Sequence, residues 1–441
     1  MKKCAALVLL ALGACQRDLE RDADPAPATS PAMAPSPEEV HQGLLYGRIT
    51  TSDGAVYEGR LRWGGDEEAL WGNYFNGVKN QNPWIGHVPS ERLPRERLSF
   101  EVLGIEIPVW SRRADLGRPF MARFGDIARI EPRGRDLWIT LKSGTVFHLD
   151  RFAADDVADG VRVWDDIVGV VDLGERRIGT IDLLAAPQLG AAPGPSPLYG
   201  TVRTRNGDFT GFLQWDREEC LGSDQLVSHT ADGEVSLRFD TIRSIARRTG
   251  DSVLVTLLDG QEIGLADPRK AGQRTRGIYV DDQHYGRVLV SWDAFERMDL
   301  ASGGTGPAYG DFPPGRPLTG SVLTRSGRRL AGRLVYDLDE SETTETLDAP
   351  SQGIDYTIPF DLISSIALPG PDGRGPQQAR VTLRSGEALE LELTGDLGER
   401  NAGMLIFLDS GQGPEYVPWT DVQQIDLDGP EVAEEHSDAG S

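Results

Sequence analysis

One pattern occurs three times along the chain, and it restricts the possible folds more than any other feature. YGRITTSDGAVYEGRLRW from Tyr46, YGTVRTRNGDFTGFLQW from Tyr199 and TGSVLTRSGRRLAGRLVY from Thr319 open three blocks. Each block then carries an F-x-x-I-x-x-I stretch: Phe124, Ile127 and Ile130; Phe239, Ile242 and Ile245; Phe360, Ile363 and Ile366. A Thr-Leu-x-x-Gly turn follows, from Thr140, Thr256 and Thr382, and each block closes on Asp-Leu at 182–183, 299–300 and 426–427. Self-similarity on this scale marks copies of one supersecondary unit.

The local chemistry of that unit is β-hairpin chemistry. Asp53-Gly54, Asn206-Gly207, Ser326-Gly327, Ser143-Gly144, Asp259-Gly260 and Ser385-Gly386 each separate two strand-like runs. A tight hairpin turn needs a residue that tolerates positive φ there. Flanking runs alternate, as in Val253, Val255 and Leu257, so one face of each hairpin can be buried. Long helical periodicity is absent. The expectation is an all-β protein of three tandem repeats, each a hairpin-rich small barrel or sandwich. A second closing run, Trp292-Phe295-Met298 and Trp419-Val422-Ile425, suggests two related half-modules per repeat, although block one has Glu175 at the tryptophan position. A hairpin, further strand and short apolar closing turn resemble small barrels of the Sm-like kind; one larger barrel or sandwich per block is the alternative.

Proline- and glycine-rich stretches set the boundaries: repeat 1 at 43–184, a linker at 185–197, repeat 2 at 198–300, a linker at 301–317, repeat 3 at 318–427 and an acidic tail at 428–441. Separate folding of the blocks is expected from these linkers. Repeat 1 carries a segment at 64–119 that reads as an insertion.

The first residues, MKKCAALVLLALGAC, combine Lys2 and Lys3 with a short apolar run, the pattern of an export signal at 1–14. Roughly nine apolar residues fall short of the ~20 needed to span a bilayer. Leu12-Gly13-Ala14-Cys15 resembles the lipobox of bacterial lipoproteins, which implies lipidation of Cys15. In lipoproteins of double-membrane bacteria a residue other than Asp after the cysteine, here Gln16, implies sorting to the outer membrane, facing the periplasm or the cell surface. Residues 15–42 then form a Pro/Ala-rich tether. In a polyproline-like state it could hold the folded part up to roughly 80 Å from the lipid. With Cys4 removed and Cys15 lipidated, Cys220 is the one free thiol, which precludes a disulfide within the chain. No acid–base partner beside it favours reactivity, so a small semi-buried role is expected.

Site signals are few. Within 64–119, Trp71, Tyr74, Phe75 and Trp84 are interleaved with Asn73, Asn76, Asn80 and Asn82. Aromatics among amides suit a glycan- or peptide-binding surface, or else cap an open barrel end; Trp71, Tyr74, Phe75, Trp84 and Asn76 are the ligand-binding candidates. Acids follow the first hairpin in every block, and DLDESETTETLD (337–348) superficially resembles a calcium loop. It lacks the required Gly and the bidentate Glu, so a solvated loop is expected. Six histidines lie far apart, no HExxH or G-x-S-x-G occurs, and Gly250-Asp251-Ser252 reads as a turn. No catalytic residue, metal site or cofactor is expected beyond the lipid on Cys15. A formal charge of −24 argues against nucleic acid as a partner. The chain as a whole resembles repetitive bacterial envelope proteins, a likeness that implies no particular activity. The expected role is a non-enzymatic interaction or scaffold module at the envelope, its partner a protein or a glycan; the alternative is a glycan-binding or glycan-active protein.

Overall fold

The computed structural model describes residues 42–429, apart from 65–66, 90, 92–94, 103–104, 114–118, 153–159, 166, 188–195, 231–232, 249–251, 267–275, 304–305, 371–376 and 409–412. The leader, Cys15, nearly all of the tether, Gly250-Asp251 and most of the acidic tail lie outside the described residues.

Every long element among the described residues is a strand. The first block contains β1 (Tyr46–Thr51), β2 (Val56–Trp63), β3 (Tyr74–Val78), β4 (Arg95–Val102), β5 (Ile105–Arg113), β6 (Pro119–Arg123), β7 (Ile127–Arg133), β8 (Asp136–Leu141), β9 (Val146–Asp150), β10 (Val161–Asp165), β11 (Gly169–Leu173) and β12 (Ile178–Leu183). The second contains β13 (Tyr199–Thr204), β14 (Gly207–Trp215), β15 (Gln225–Thr230), β16 (Gly233–Arg238), β17 (Ile242–Arg247), β18 (Ser252–Leu257), β19 (Glu262–Ala266), β20 (Ile278–Asp282), β21 (Gly286–Val290) and β22 (Phe295–Ala301). The third contains β23 (Thr319–Thr324), β24 (Arg329–Val335), β25 (Thr346–Ser351), β26 (Ile354–Pro359), β27 (Ile363–Ala367), β28 (Gln378–Leu383), β29 (Ala388–Glu392), β30 (Met404–Leu408), β31 (Glu415–Val417) and β32 (Val422–Leu427).

All pairings among the described residues are antiparallel, and one strand order recurs: β9-β8-β7-β12-β1-β2-β10-β11, then β19-β18-β17-β22-β13-β14-β20-β21, then β29-β28-β27-β32-β23-β24-β30-β31. The glycine of each opening hairpin permits the close approach of the next strand in the sheet. A Cβ on Gly59 would meet the Trp164 carbonyl at 1.8 Å, and one on Gly211 the Asp281 carbonyl at 1.9 Å. Beyond β2 the chain reaches β3, which occupies the place of β15 and β25. The length peculiar to block one therefore lies at 79–118, between β3 and β6, and includes the β4–β5 hairpin.

The F-x-x-I-x-x-I stretch has a specific geometry. Its Phe opens a single 3-10 turn and is buried in all three blocks. Both isoleucines are buried although three positions apart, where simple strand alternation would demand two. A bulge supplies the extra residue: the register slips between Ile127 and Arg129, between Ile242 and Ser244, and between Ile363 and Ser365.

The blocks interlock. β21 pairs with β26, aligning Arg287 with Thr357, Val288 with Tyr356, Leu289 with Asp355 and Val290 with Ile354. One apolar core consequently runs through blocks two and three. The core of block one takes in Cys220, Leu221 and Phe312 from beyond it. The described part of the 301–317 stretch is packed against block one. Phe312 lies over Gly125, and Lys142 Nζ donates to the carbonyls of Tyr309 and Phe312. These contacts join the described blocks into a single body.

Candidate functional site

The aromatic candidates take structural positions. Trp71 is 1% exposed and its ring lies 5.0 Å from that of Phe212 in block two. Phe75 is buried between Trp63, Phe120 and Phe124, and Tyr74 is buried beneath the Arg287 guanidinium at 3.9 Å. These three rings are core and offer no stacking surface. Trp84 is half-buried against Phe407 and Arg333 of block three. The asparagines serve the backbone or neighbouring side chains. Asn73 accepts from the Ala69 N–H, exposed Asn76 donates to the Tyr74 carbonyl, Asn80 donates to Asp136 and Asn82 donates to the Leu338 carbonyl.

The acidic segments also depart from expectation. Each follows the first hairpin and begins at a bridge, Trp63 to Glu67, Trp215 to Glu219 and Tyr336 to Glu340, and in blocks two and three that bridge closes a tight turn. Asp216 and Arg217, and likewise Asp337 and Leu338, take positive φ in that turn. The third segment is enclosed rather than solvated, with Asp337, Asp339, Glu342 and Glu345 all buried. The reason is Lys79. It extends from the end of β3, itself buried, to Asp339 at 2.8 Å and Glu345 at 3.3 Å. Burial alone would lower its pKa, yet Glu345, Asp339 and Glu340 carry it above the ordinary lysine range. Burial, then the charges of Asp348, Asp337 and Asp339, push Asp396 up to about 8. Burial raises Glu340 as well. This arrangement is an ion cluster joining blocks one and three. No group of His, Cys, Asp and Glu suited to a metal occurs among the described residues. Cys220 is buried, and burial raises its thiol pKa, consistent with a packing role.

Where the blocks meet, a cavity of about 890 Å³ opens between Arg123, Asp281, Asp311, Phe312 and Asp361, among others. Arg123 is held by Asp126 at 3.0 Å. Burial pushes Asp281 up to about 7 against the opposing pull of Arg123 and Arg287. None of the five residues named from the sequence as ligand-binding candidates lines this cavity.

A second feature is the hairpin tip that follows β10 and β20. The Asp165 carboxylate accepts from the N–H groups of Glu58, Ile167 and Val168, and Asp282 accepts from those of Thr210 and His284. The two tips are thus built alike, in an Asp-x-x-x-Gly frame. In block two the tip is docked. Tyr285 packs between Phe209 and Tyr356 and donates to Glu387 at 2.8 Å, while the adjoining β21 edge is paired by β26. In block three, the β30–β31 hairpin is packed by block one's 82–88 segment, with Trp84 against Phe407 and Val88 in one apolar cluster with Leu405 and Tyr416. In block one neither happens. Among the described residues β11 pairs on one side only, with β10. Its tip exposes Ile167 by 92% and Val168 by 60%, at the positions of His284 and Tyr285. An unpaired edge flanked by exposed aliphatic side chains is suited to receiving another strand. Sequence reasoning missed this tip; the signal was Ile-Val inside an Asp-x-x-x-Gly frame that carries Gln-His-Tyr in its counterpart.

No protein-family model matches the chain, and no curated protein matches its sequence. Among solved structures, a streptogramin B lyase aligns over 69% of this chain and 94% of its own, at 10% identity and a TM-score of 0.11. A likeness that low carries no argument about fold or activity.

Proposed function

We propose that the chain is an exported lipoprotein, anchored through Cys15 in the outer membrane of the cell envelope, whose β-body acts as a tethered, non-catalytic interaction module. The observation that carries the interaction role is the β11 edge, unpaired among the described residues, with Ile167 and Val168 exposed at the tip beside it. Main-chain groups along such an edge supply affinity through strand addition, and flanking side chains supply selectivity. The Leu-Gly-Ala-Cys leader and proline-rich tether support the anchoring. A glycan-binding role through Trp71, Tyr74 and Phe75 is disfavoured by their burial.

Fractionation of cells expressing Cys15→Ala tests the anchor. Wild type should be recovered with membranes, and the variant as a soluble form or an uncleaved precursor. A variant that still sediments with membranes and migrates as wild type contradicts lipidation.

A further inference from the structure

We infer that the β11 edge is occupied by β16 of a second copy of this chain. This rests on reading the edge as an interaction surface, and it goes further by naming the occupant. The β21–β26 joint provides the template, because a strand in the place of β21 is there completed by a strand in the place of β26. β11 stands in the place of β21. β16 stands in the place of β26, since each is the second strand of a hairpin that leads directly into the buried Phe of the 3-10 turn. Among the described residues both β11 and β16 end their sheets, so the molecule carries one half of the joint at each of two sites.

The template also gives a register. Carrying it over aligns Val170 with Ser236, Val171 with Val235, Asp172 with Glu234 and Leu173 with Gly233 of the second copy. Ser236 and Glu234 are exposed on β16, as the docking requires. Asp172 faces a like charge in this register, which weakens the pairing; Arg162, 2.7 Å from Asp172, offsets part of that repulsion. The two edges differ, so the contact is heterologous and propagates head to tail into a ring or a file of molecules. Attachment to one membrane raises the local concentration of copies and compensates for a weak contact.

The test uses full chains purified in non-ionic detergent, one carrying Val170→Cys and the other Ser236→Cys. Mixed under mild oxidation, they should give a disulfide-linked heterodimer that neither forms alone. Adding Glu234→Lys to the Ser236→Cys chain should raise the yield several-fold, because Asp172 then faces a cation. The inference is overturned if the mixture cross-links no more than either chain alone while both introduced cysteines react fully with a small maleimide. A Val170→Cys chain that cross-links with itself also overturns it, because β11 would then pair with β11. If this test fails while β11 cross-links to other envelope proteins in cells, the occupant is wrong and the interaction role stands.

Discussion

Replacing Lys79 by Met should destabilise the protein by ~3–5 kcal/mol, because it strands the Asp339 and Glu345 carboxylates in a buried site without their cation. The loss should appear as a lower urea midpoint with an unchanged slope. Combining Lys79→Met with Asp339→Asn and Glu345→Gln should recover much of it, since the two carboxylates that Lys79 paired are then removed along with it. The same cluster gives stability a pH dependence. Asp396 has a folded pKa of about 8 against an unfolded value of 3.8, so its favourable contribution is complete below ~4 and is lost as pH rises to about 8. Asp396→Asn should flatten this fall of stability with rising pH across that window. A Lys79→Met protein that unfolds within about 1 kcal/mol of wild type would show that Lys79 does not tie block one to block three.

Trp71→Ala should cost ~3–5 kcal/mol, the range for removing a large buried ring. The indole lies against Phe212 on one side, and a Cβ on Gly306 would sit 3.2 Å from its Nε1. Truncation therefore opens a void between blocks one and two that the neighbouring backbone cannot readily fill. Trp84→Ala, at a half-buried ring on Phe407, should cost less, about 1–2 kcal/mol. Urea titration of the two single variants checks the order. A Trp71→Ala chain as stable as wild type would return that ring to the list of ligand contacts.

The all-β class was legible because its determinants are local. Gly54, Gly144, Gly260, Gly327 and Gly386 all take φ between 85° and 90° in tight turns, as the residue pairs in the sequence predict. The F-x-x-I-x-x-I spacing was legible as a pattern but not as a bulge, because a bulge exists only relative to a partner strand. Contacts between blocks were illegible for the same reason on a larger scale. Lys79 and Asp339 are 260 positions apart, and nothing near either residue announces the other. The acidic run at 337–348 accordingly read as solvated. Trp71 and Phe75 read as surface candidates because asparagines surround them, yet Asn73 and Asn82 spend their amides on the backbone of the fold. At the β10–β11 tip the exposed aliphatic pair was visible in the sequence, but its meaning required seeing that the matching tip in block two is docked.

The most direct test of the tethered interaction module is photo-cross-linking in intact cells. A photoreactive residue is placed at Ile167, with a control at Thr201 on the outward face of β13. Ile167 should yield discrete protein adducts and Thr201 none, and Cys15→Ala should reduce the Ile167 adducts by removing the chain from the membrane. Equal labelling at both positions, or no protein adduct at Ile167 while the chain is folded and membrane-bound, would contradict the account.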